Sequence, residues 1–355
     1  MEIRNAAQDS GFGGFKAAEV RGDGIAVVTL PSVVGMGETD TGLLDLAGVT
    51  GRRRRRHRPR RVAFDGIELL VGPGVADYTR LVERLDFQRL SDGPELRALT
   101  YATLFELVPD APADLNLVVG LPVEVLQGPD AKATVRQLQG WLVGEHHFAV
   151  DDQAVTLCVR AIRPIAQPVG TFFEWGLGLD GQWARRRADF NLPVAVLDLG
   201  FNTLDLFTVK GGQINARYTQ GDTLGIRRAA TALADRVRRQ YKRELSLHEA
   251  DALLQEYVRR GGRRAIDLPV AGQVVDVRPV IRTALNTAAG EILGFLDRTW
   301  GNGRQFSHLL LTGGGCLMLR DRLMERLPHA TLLDDPVTAN ARGLARLAQR
   351  PGLFK

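Results

Sequence analysis

The chain has 355 residues, 45% apolar and 25% charged, enough to build two packed domains and too balanced for a disordered polymer. Two cysteines, Cys158 and Cys316, cannot make a disulfide framework, no window reaches the length of a membrane span, and Met1-Glu2-Ile3-Arg4-Asn5 lacks the apolar core of a signal peptide; the expectation is a soluble cytoplasmic protein. The net charge of +5 is unevenly spread, with one dense basic run at Arg52 to Arg56, His57, Arg58, Arg60 and Arg61, which points to an acidic partner or to solvent.

The first strand, Ile3 to Gln8, is unusually polar and ends at Asp9-Ser10-Gly11-Phe12. A second strand runs through Val20, and Arg21-Gly22 turns it into a third that closes at Leu30. Pro31 to Gly35 then leaves this unit for a Gly-, Thr- and Arg-rich excursion, roughly residues 36 to 61, read as an exposed loop. Val62 to Phe64 and Glu68 to Val71 form a hairpin around Asp65-Gly66, and from Asp77 the chain reads as mostly helical. Leu115 to Gly120 has the continuous apolar profile of a buried parallel strand, Ala131 to Leu142 that of an amphipathic helix, and Val155 to Ile162 that of another strand.

Asp198-Leu199-Gly200-Phe201 then repeats the opening, running through Val209 and Lys210-Gly211 to Ile214 in gapless register with the first copy. A glycine beside an acidic strand end lets backbone N–H groups approach an anion, while the carboxylate can hold a hydrated cation. Two such loops can clamp one polyphosphate. Beyond them, Ile226, Ala230, Leu233, Val237 and Tyr241 mark one helical face and Ile281, Leu285, Ala288, Ile292 and Phe295 another, both read as core. His308 to Leu311 is a strand leading into Thr312-Gly313-Gly314-Gly315 and a helix near Cys316, and Asp334-Asp335-Pro336 is expected to start the last helix. Gly176-Leu177-Gly178-Leu179-Asp180-Gly181 spells a dinucleotide fingerprint but lacks its βαβ setting, and Glu145-His146-His147 has no companion pair for a stable metal site.

In order, Asp9 to Lys16, Asp198 to Asp205, Leu311 to Gly315 and Pro336 to Gly343 resemble the two phosphate motifs, the adenosine motif and the closing helix of the actin-like ATPases, in particular the plasmid-segregation actins of the ParM/StbA type. The resemblance covers nearly the whole chain. It implies an actin-like α/β fold of two ribonuclease-H-like domains around a nucleotide cleft. Domain I would span 1–190, with an outer subdomain at about 32–80 and a completing helix at 337–355; domain II would span 191–336, with an outer subdomain at about 222–275.

The same resemblance implies roles. Asp9 and Asp198 would organise Mg²⁺ through water; Ser10, Gly11, Phe12 and Gly13, and Gly200, Phe201, Asn202 and Thr203, would surround the phosphates of ATP or GTP, with Lys16 adding charge. Asp205 stands where the second copy lacks that lysine. Gly313, Gly314 and Gly315 would let adenosine lie against bare backbone. Gln167 is the candidate for orienting the attacking water, and an amide can position but not deprotonate it, so hydrolysis would be slow. The implied activity is a filament-forming ATPase whose partner is itself, head to tail, with DNA, an adaptor protein or anionic lipid engaged through Arg52 to Arg61. The alternatives are a small-molecule kinase of the same superfold, for which the sequence identifies no carboxylate base although it does not exclude Asp205, and a non-polymerising nucleotide-regulated adaptor. For Lys16, Gln167, the triple glycine and the arginine run, the plainer readings are a solvated lysine, a loop residue, tight packing and a solvated loop.

Overall fold

The computed structural model describes residues 3–36, 59–82 and 87–355. It divides into two compact units: 1–121 with 125–184 and 340–355, and 122–124 with 185–339.

The first unit is built on a sheet that has ten strands among the described residues, in the order Gly24–Pro31, Gly14–Arg21, Ile3–Ser10, Ala113–Leu121, Gln153–Ala166, Gly144–Val150, Arg60–Phe64, Ile67–Val71, Val34–Met36 and Leu81–Val82. Its first strands are the antiparallel meander β1 (Ile3–Ser10), β2 (Gly14–Arg21) and β3 (Gly24–Pro31), and β1 lies parallel to the apolar β8 (Ala113–Leu121). The polar residues of β1 are compatible with this central place because each finds a partner on the sheet. Arg4 pairs with Glu19 across β2, Asn5 accepts from the Asn116 amide at 3.0 Å, and Gln8 donates to Ser10 at 3.0 Å. β8 also runs parallel to the long β10 (Gln153–Ala166), which returns antiparallel to β9 (Gly144–Val150).

The outer strands are β4 (Val34–Met36), β5 (Arg60–Phe64), β6 (Ile67–Val71) and β7 (Leu81–Val82). The β5–β6 turn has Asp65 and Gly66 both at positive φ, 49° and 74°, as a two-residue hairpin requires. Two expectations are corrected here. The excursion does not extend to residue 61: Arg60 and Arg61 begin β5, where Arg60 pairs with Asp151 at 2.8 Å and with Glu106 at 3.3 Å, and Arg61 pairs with Asp152 and Glu68. Arg52 to Arg56, His57 and Arg58 lie outside the described residues. Nor is the chain helical from Asp77; a 3₁₀ turn, Val75–Asp77, and β7 precede helix α1 (Pro94–Leu107), which takes proline at its first turn, where no N–H is needed.

Helices α2 (Val123–Gln127), α3 (Ala131–Leu142) and α4 (Gln167–Gly176) follow. His146, on β9, is a core residue: its Nε2 donates to the Leu142 carbonyl at 2.9 Å and its Nδ1 accepts from the Tyr101 hydroxyl at 3.1 Å, with Tyr101 stacked on Phe148. Burial pulls its pKa below the ordinary histidine value.

After a short helix α5 (Arg187–Asn191), the second unit repeats the meander as β11 (Val194–Leu199), β12 (Leu204–Lys210) and β13 (Gln213–Ile214), extended by β14 (Gln220–Asp222) on β12. β17 (His308–Thr312) lies parallel to β11, and β18 (Thr331–Leu332) parallel to β17. Helices α6 (Arg227–Tyr241), α7 (Leu247–Arg259) and α8 (Arg278–Trp300) bury the two stripes read from the sequence, except for the half-buried Tyr241. A capping box of Ser246 and Glu249 starts α7. Strands β15 (Asp267–Val270) and β16 (Gln273–Asp276) form a separate hairpin.

Beyond the short helices α9 (Gly314–Met318) and α10 (Arg320–Arg326), the last helix, α11, runs over Ala339–Ala348. It starts later than Asp334-Asp335-Pro336. The Pro336 carbonyl instead accepts from the Gly313 N–H at 2.8 Å and the Thr312 hydroxyl at 2.9 Å, which anchors that segment to the end of β17.

Candidate functional site

The repeated meander places the candidate site residues of the two units at matching register positions. Asp9 pairs with Lys16 and Ser10 with Phe15 across β1–β2; Asp198 pairs with Asp205 and Leu199 with Leu204 across β11–β12. Cross-strand neighbours share a sheet face. The lysine of the first copy therefore stands beside its aspartate, and in the second copy two aspartates stand together.

In the first unit Lys16 Nζ lies 2.9 Å from Asp9 Oδ2 and donates to the Gly14 carbonyl at 3.2 Å, while Gln167 Nε2 donates to Asp9 Oδ1 at 2.7 Å. Asp9 is 2%, Lys16 8% and Gln167 4% exposed, so none of the three is a solvated surface residue. Ser10 and Phe12 are buried beside them, and the Gly13 carbonyl accepts from the Ser32 N–H. A side chain at Gly11 would meet the Gly14 carbonyl at 2.7 Å, so the tight turn needs glycine there.

Gln167 is the first residue of α4, and the placement of that helix depends on contacts that sequence reasoning missed. Asn340, at the start of α11, accepts from the Thr171 N–H at 3.2 Å and the Thr171 hydroxyl at 2.7 Å. Gly170 and Gly343 meet where α4 crosses α11: a Cβ at Gly343 would collide with the Gly170 carbonyl, and one at Gly170 with Asn340. Arg342 and Arg346 both pair with Glu174 at 2.7 Å. The signal was present in the Asn340-Ala341-Arg342-Gly343 stretch, but nothing local shows that it faces Gly170.

In the second unit the Gly200 N–H closes the turn onto Thr203 at 2.9 Å. The carbonyls of Gly200, Phe201 and Asn202 accept from the N–H groups of Ile226, Arg227 and Gly225, at 3.0, 2.7 and 3.1 Å. In a planar trans peptide the following N–H points the opposite way. The three successive peptide N–H groups of Phe201, Asn202 and Thr203 are therefore directed away from the start of α6. Gly225 must be glycine because a Cβ would strike the Phe201 carbonyl.

The three glycines after β17 are not equivalent. A Cβ at Gly313, whose φ is 86°, would strike the Leu199 carbonyl and Asp198 Oδ1, and a Cβ at Gly315 would strike the Leu199 side chain; around Gly314 there is open space. Two are demanded by packing, one is not. Cys316 is fully buried, and burial beside Asp198 pushes its thiol pKa up, which suits packing rather than reactivity.

Asp205 is 1% exposed and its Oδ1 accepts from the Val123 N–H at 2.9 Å. Burial, and then the neighbouring Asp198, push its pKa up to about 8. Glu124 is raised as well, by burial and by Asp222. Asp198, Asp205, Glu124 and Asp222 thus concentrate acidic groups in the second unit, which suits a hydrated divalent cation as counter-charge, whereas in the first unit both oxygens of Asp9 are taken by Lys16 and Gln167.

A profile for the actin-like proteins' N-terminal domain matches residues 7–170, and one for the C-terminal domain of the archaeal MreB-like actin homologue matches residues 196–325. The structure is similar to Ta0583, an archaeal actin homologue, at 18% identity over 98% of this chain and 100% of that one, TM-score 0.75. It is also similar to a ParM from a 15-stranded Clostridium botulinum filament (18% identity, 98% and 99% covered, TM-score 0.72) and to Bacillus thuringiensis ParM with ATP (12%, 97% and 98%, TM-score 0.64). No curated protein matches the sequence. With residues 7–170 and 196–325 both matched by profiles of actin-like proteins, this chain belongs to the actin-like protein family.

Proposed function

We propose that the chain binds ATP or GTP with Mg²⁺, hydrolyses it slowly, and assembles into nucleotide-dependent filaments that serve DNA segregation or a cytoskeleton. The observation that carries this reading is the repeated Asp-x-Gly turn, which sets Asp9 and Asp198 at matching positions of the two meanders and turns the peptide N–H groups of Phe201 to Thr203 away from α6. Bound Mg²⁺ would neutralise phosphate charge. The chain's own residues would do the rest: the loops hold the phosphates, Lys16 exchanges Asp9 for phosphate oxygen, and the Gln167 amide orients water. Similar proteins with ATP and in filaments support the reading.

The kinase alternative needs a carboxylate base facing a second substrate. Asp205 is buried and bound to the Val123 N–H, which suits a structural carboxyl better. Sedimentation of the purified chain with and without Mg-ATP, followed by electron microscopy of the pellet, tests the proposal. Filaments only with nucleotide are expected; a monomer under every nucleotide condition at high protein concentration would favour the kinase.

A further inference from the structure

The second unit has a polar groove of about 490 Å³ that includes none of the residues assigned to nucleotide. That volume lies in the range of small-ligand sites, roughly 300–1,000 Å³. Two arginines reach it from different elements, Arg217 from the 3₁₀ turn Ala216–Tyr218 and Arg298 from α8. Each guanidinium lies over an aromatic ring, Arg217 at 5.2 Å from Tyr218 and Arg298 at 6.0 Å from Phe295. Neither makes an ion pair with a carboxylate among the described residues.

The rings behind them are fixed. Tyr218 stands edge-on to Phe306 with centroids 5.6 Å apart, and its carbonyl accepts from the Trp300 indole at 2.8 Å; Asn215 caps the Arg217 N–H at 3.2 Å. A guanidinium resting over a ring keeps N–H groups available for an oxyanion while the ring limits its freedom, which lowers the entropy cost of gripping one. The remaining polar groups are the Gln220 amide, the Thr299 hydroxyl and the Asp222 carboxylate. A carboxylate beside two arginines disfavours a bare anion and favours one that also offers a hydroxyl to donate.

We propose that this groove binds a small hydroxylated oxyanion, a phosphate ester or a hydroxy-polycarboxylate, with Arg217 and Arg298 on the oxyanion and Asp222 on the hydroxyl. The groove borders the second Asp-x-Gly loop through Asp222, whose strand β14 pairs with Leu204, but it shares none of the residues assigned to nucleotide and does not depend on the filament reading.

Isothermal titration of the full chain without nucleotide, at ionic strength matched with sodium chloride, tests it with glycerol 3-phosphate, citrate and inorganic phosphate. Saturable one-to-one binding is expected for at least one of the first two, and which one binds identifies the source. Arg217→Gln and Arg298→Gln should each weaken it by at least about tenfold. Arg217→Lys, which keeps the charge but loses the fork, should also weaken it, and Lys16→Ala in the other unit should leave it unchanged. Melting curves check that the variants fold. No saturable binding of either hydroxylated probe, affinity unchanged in both glutamine variants, or inorganic phosphate bound as tightly as the ester would overturn the proposal.

Discussion

At the scale of single residues, the triple glycine gives the sharpest separation of folding from binding. Gly313 and Gly315 are held by packing against Asp198 and Leu199, so Gly313→Ala should destabilise the chain by about 1–3 kcal/mol, seen as a lower urea midpoint. Gly314 has open space around it. Gly314→Ala should therefore leave the midpoint unchanged, and if adenosine lies against this backbone it should weaken ATP affinity, measured by fluorescence titration of a nucleotide analogue. Unchanged affinity in a folded Gly314→Ala chain would remove that residue from the nucleotide site. Among the polar residues, Asp198→Ala should abolish Mg-dependent hydrolysis, whereas Gln167→Ala should keep binding and slow turnover by about tenfold or more in a phosphate-release assay. Both variants turning over at the parental rate would dismiss the assignment.

His146 carries a pH dependence whose sign follows from its hydrogen bonds. With Nε2 donating to Leu142 and Nδ1 accepting from Tyr101, the neutral ring fits its buried place and the charged ring does not. Its folded pKa lies below its unfolded value near 6.5, so the unfolded chain takes up the proton first. The stability contributed by neutral His146 is then present above about pH 6.5 and is lost as pH falls toward the folded pKa. Urea midpoints measured from pH 7.5 to 5 should fall, and the slope should shrink in His146→Gln.

At the scale of elements, the crossing of α4 and α11 is the feature on which Gln167 depends. The Gly170 backbone sits where any side chain at Gly343 would go, so Gly343→Ala should force the helices apart, costing about 1–3 kcal/mol and lowering the melting temperature by several degrees. Because α4 begins at Gln167, the variant should also slow hydrolysis more than it weakens nucleotide affinity. Elements with a strong local pattern are legible from sequence: α3 matches its amphipathic stripe from Ala131 to Leu142, and the β5–β6 turn was visible in Asp65-Gly66. What was not legible depends on distant partners. β4, three residues long, is a strand because it pairs with β6 and β7, and the two-residue β7 because it pairs with β4. The polar β1 reads poorly as a central strand until Glu19 and Asn116 stand beside it. The candidate site divides the same way: its aspartates and glycines repeat in sequence, whereas the Asn340–Thr171 contact joins residues far apart in the chain.

At the scale of the whole molecule, assembly is tested through the basic run. The nine basic residues from Arg52 to Arg61 split into two groups. Arg60 and Arg61 pair with Glu106, Asp151, Glu68 and Asp152 around β5, so replacing them should cost stability, though only up to about 1 kcal/mol per half-exposed pair. Replacing Arg52 to Arg58 alone with a Gly/Ser segment should leave the melting temperature and ATP binding unchanged. If these side chains engage an acidic face of the next subunit, the reading we favour, the replaced chain should need a higher critical concentration in Mg-ATP light scattering. Added salt should then weaken assembly of the parental chain but have less effect on the variant. If they hold DNA or anionic lipid, assembly should persist while the steeply salt-dependent binding of those polyanions disappears. Parental assembly together with parental DNA and lipid affinity would leave the run as a solvated segment with no part in either contact.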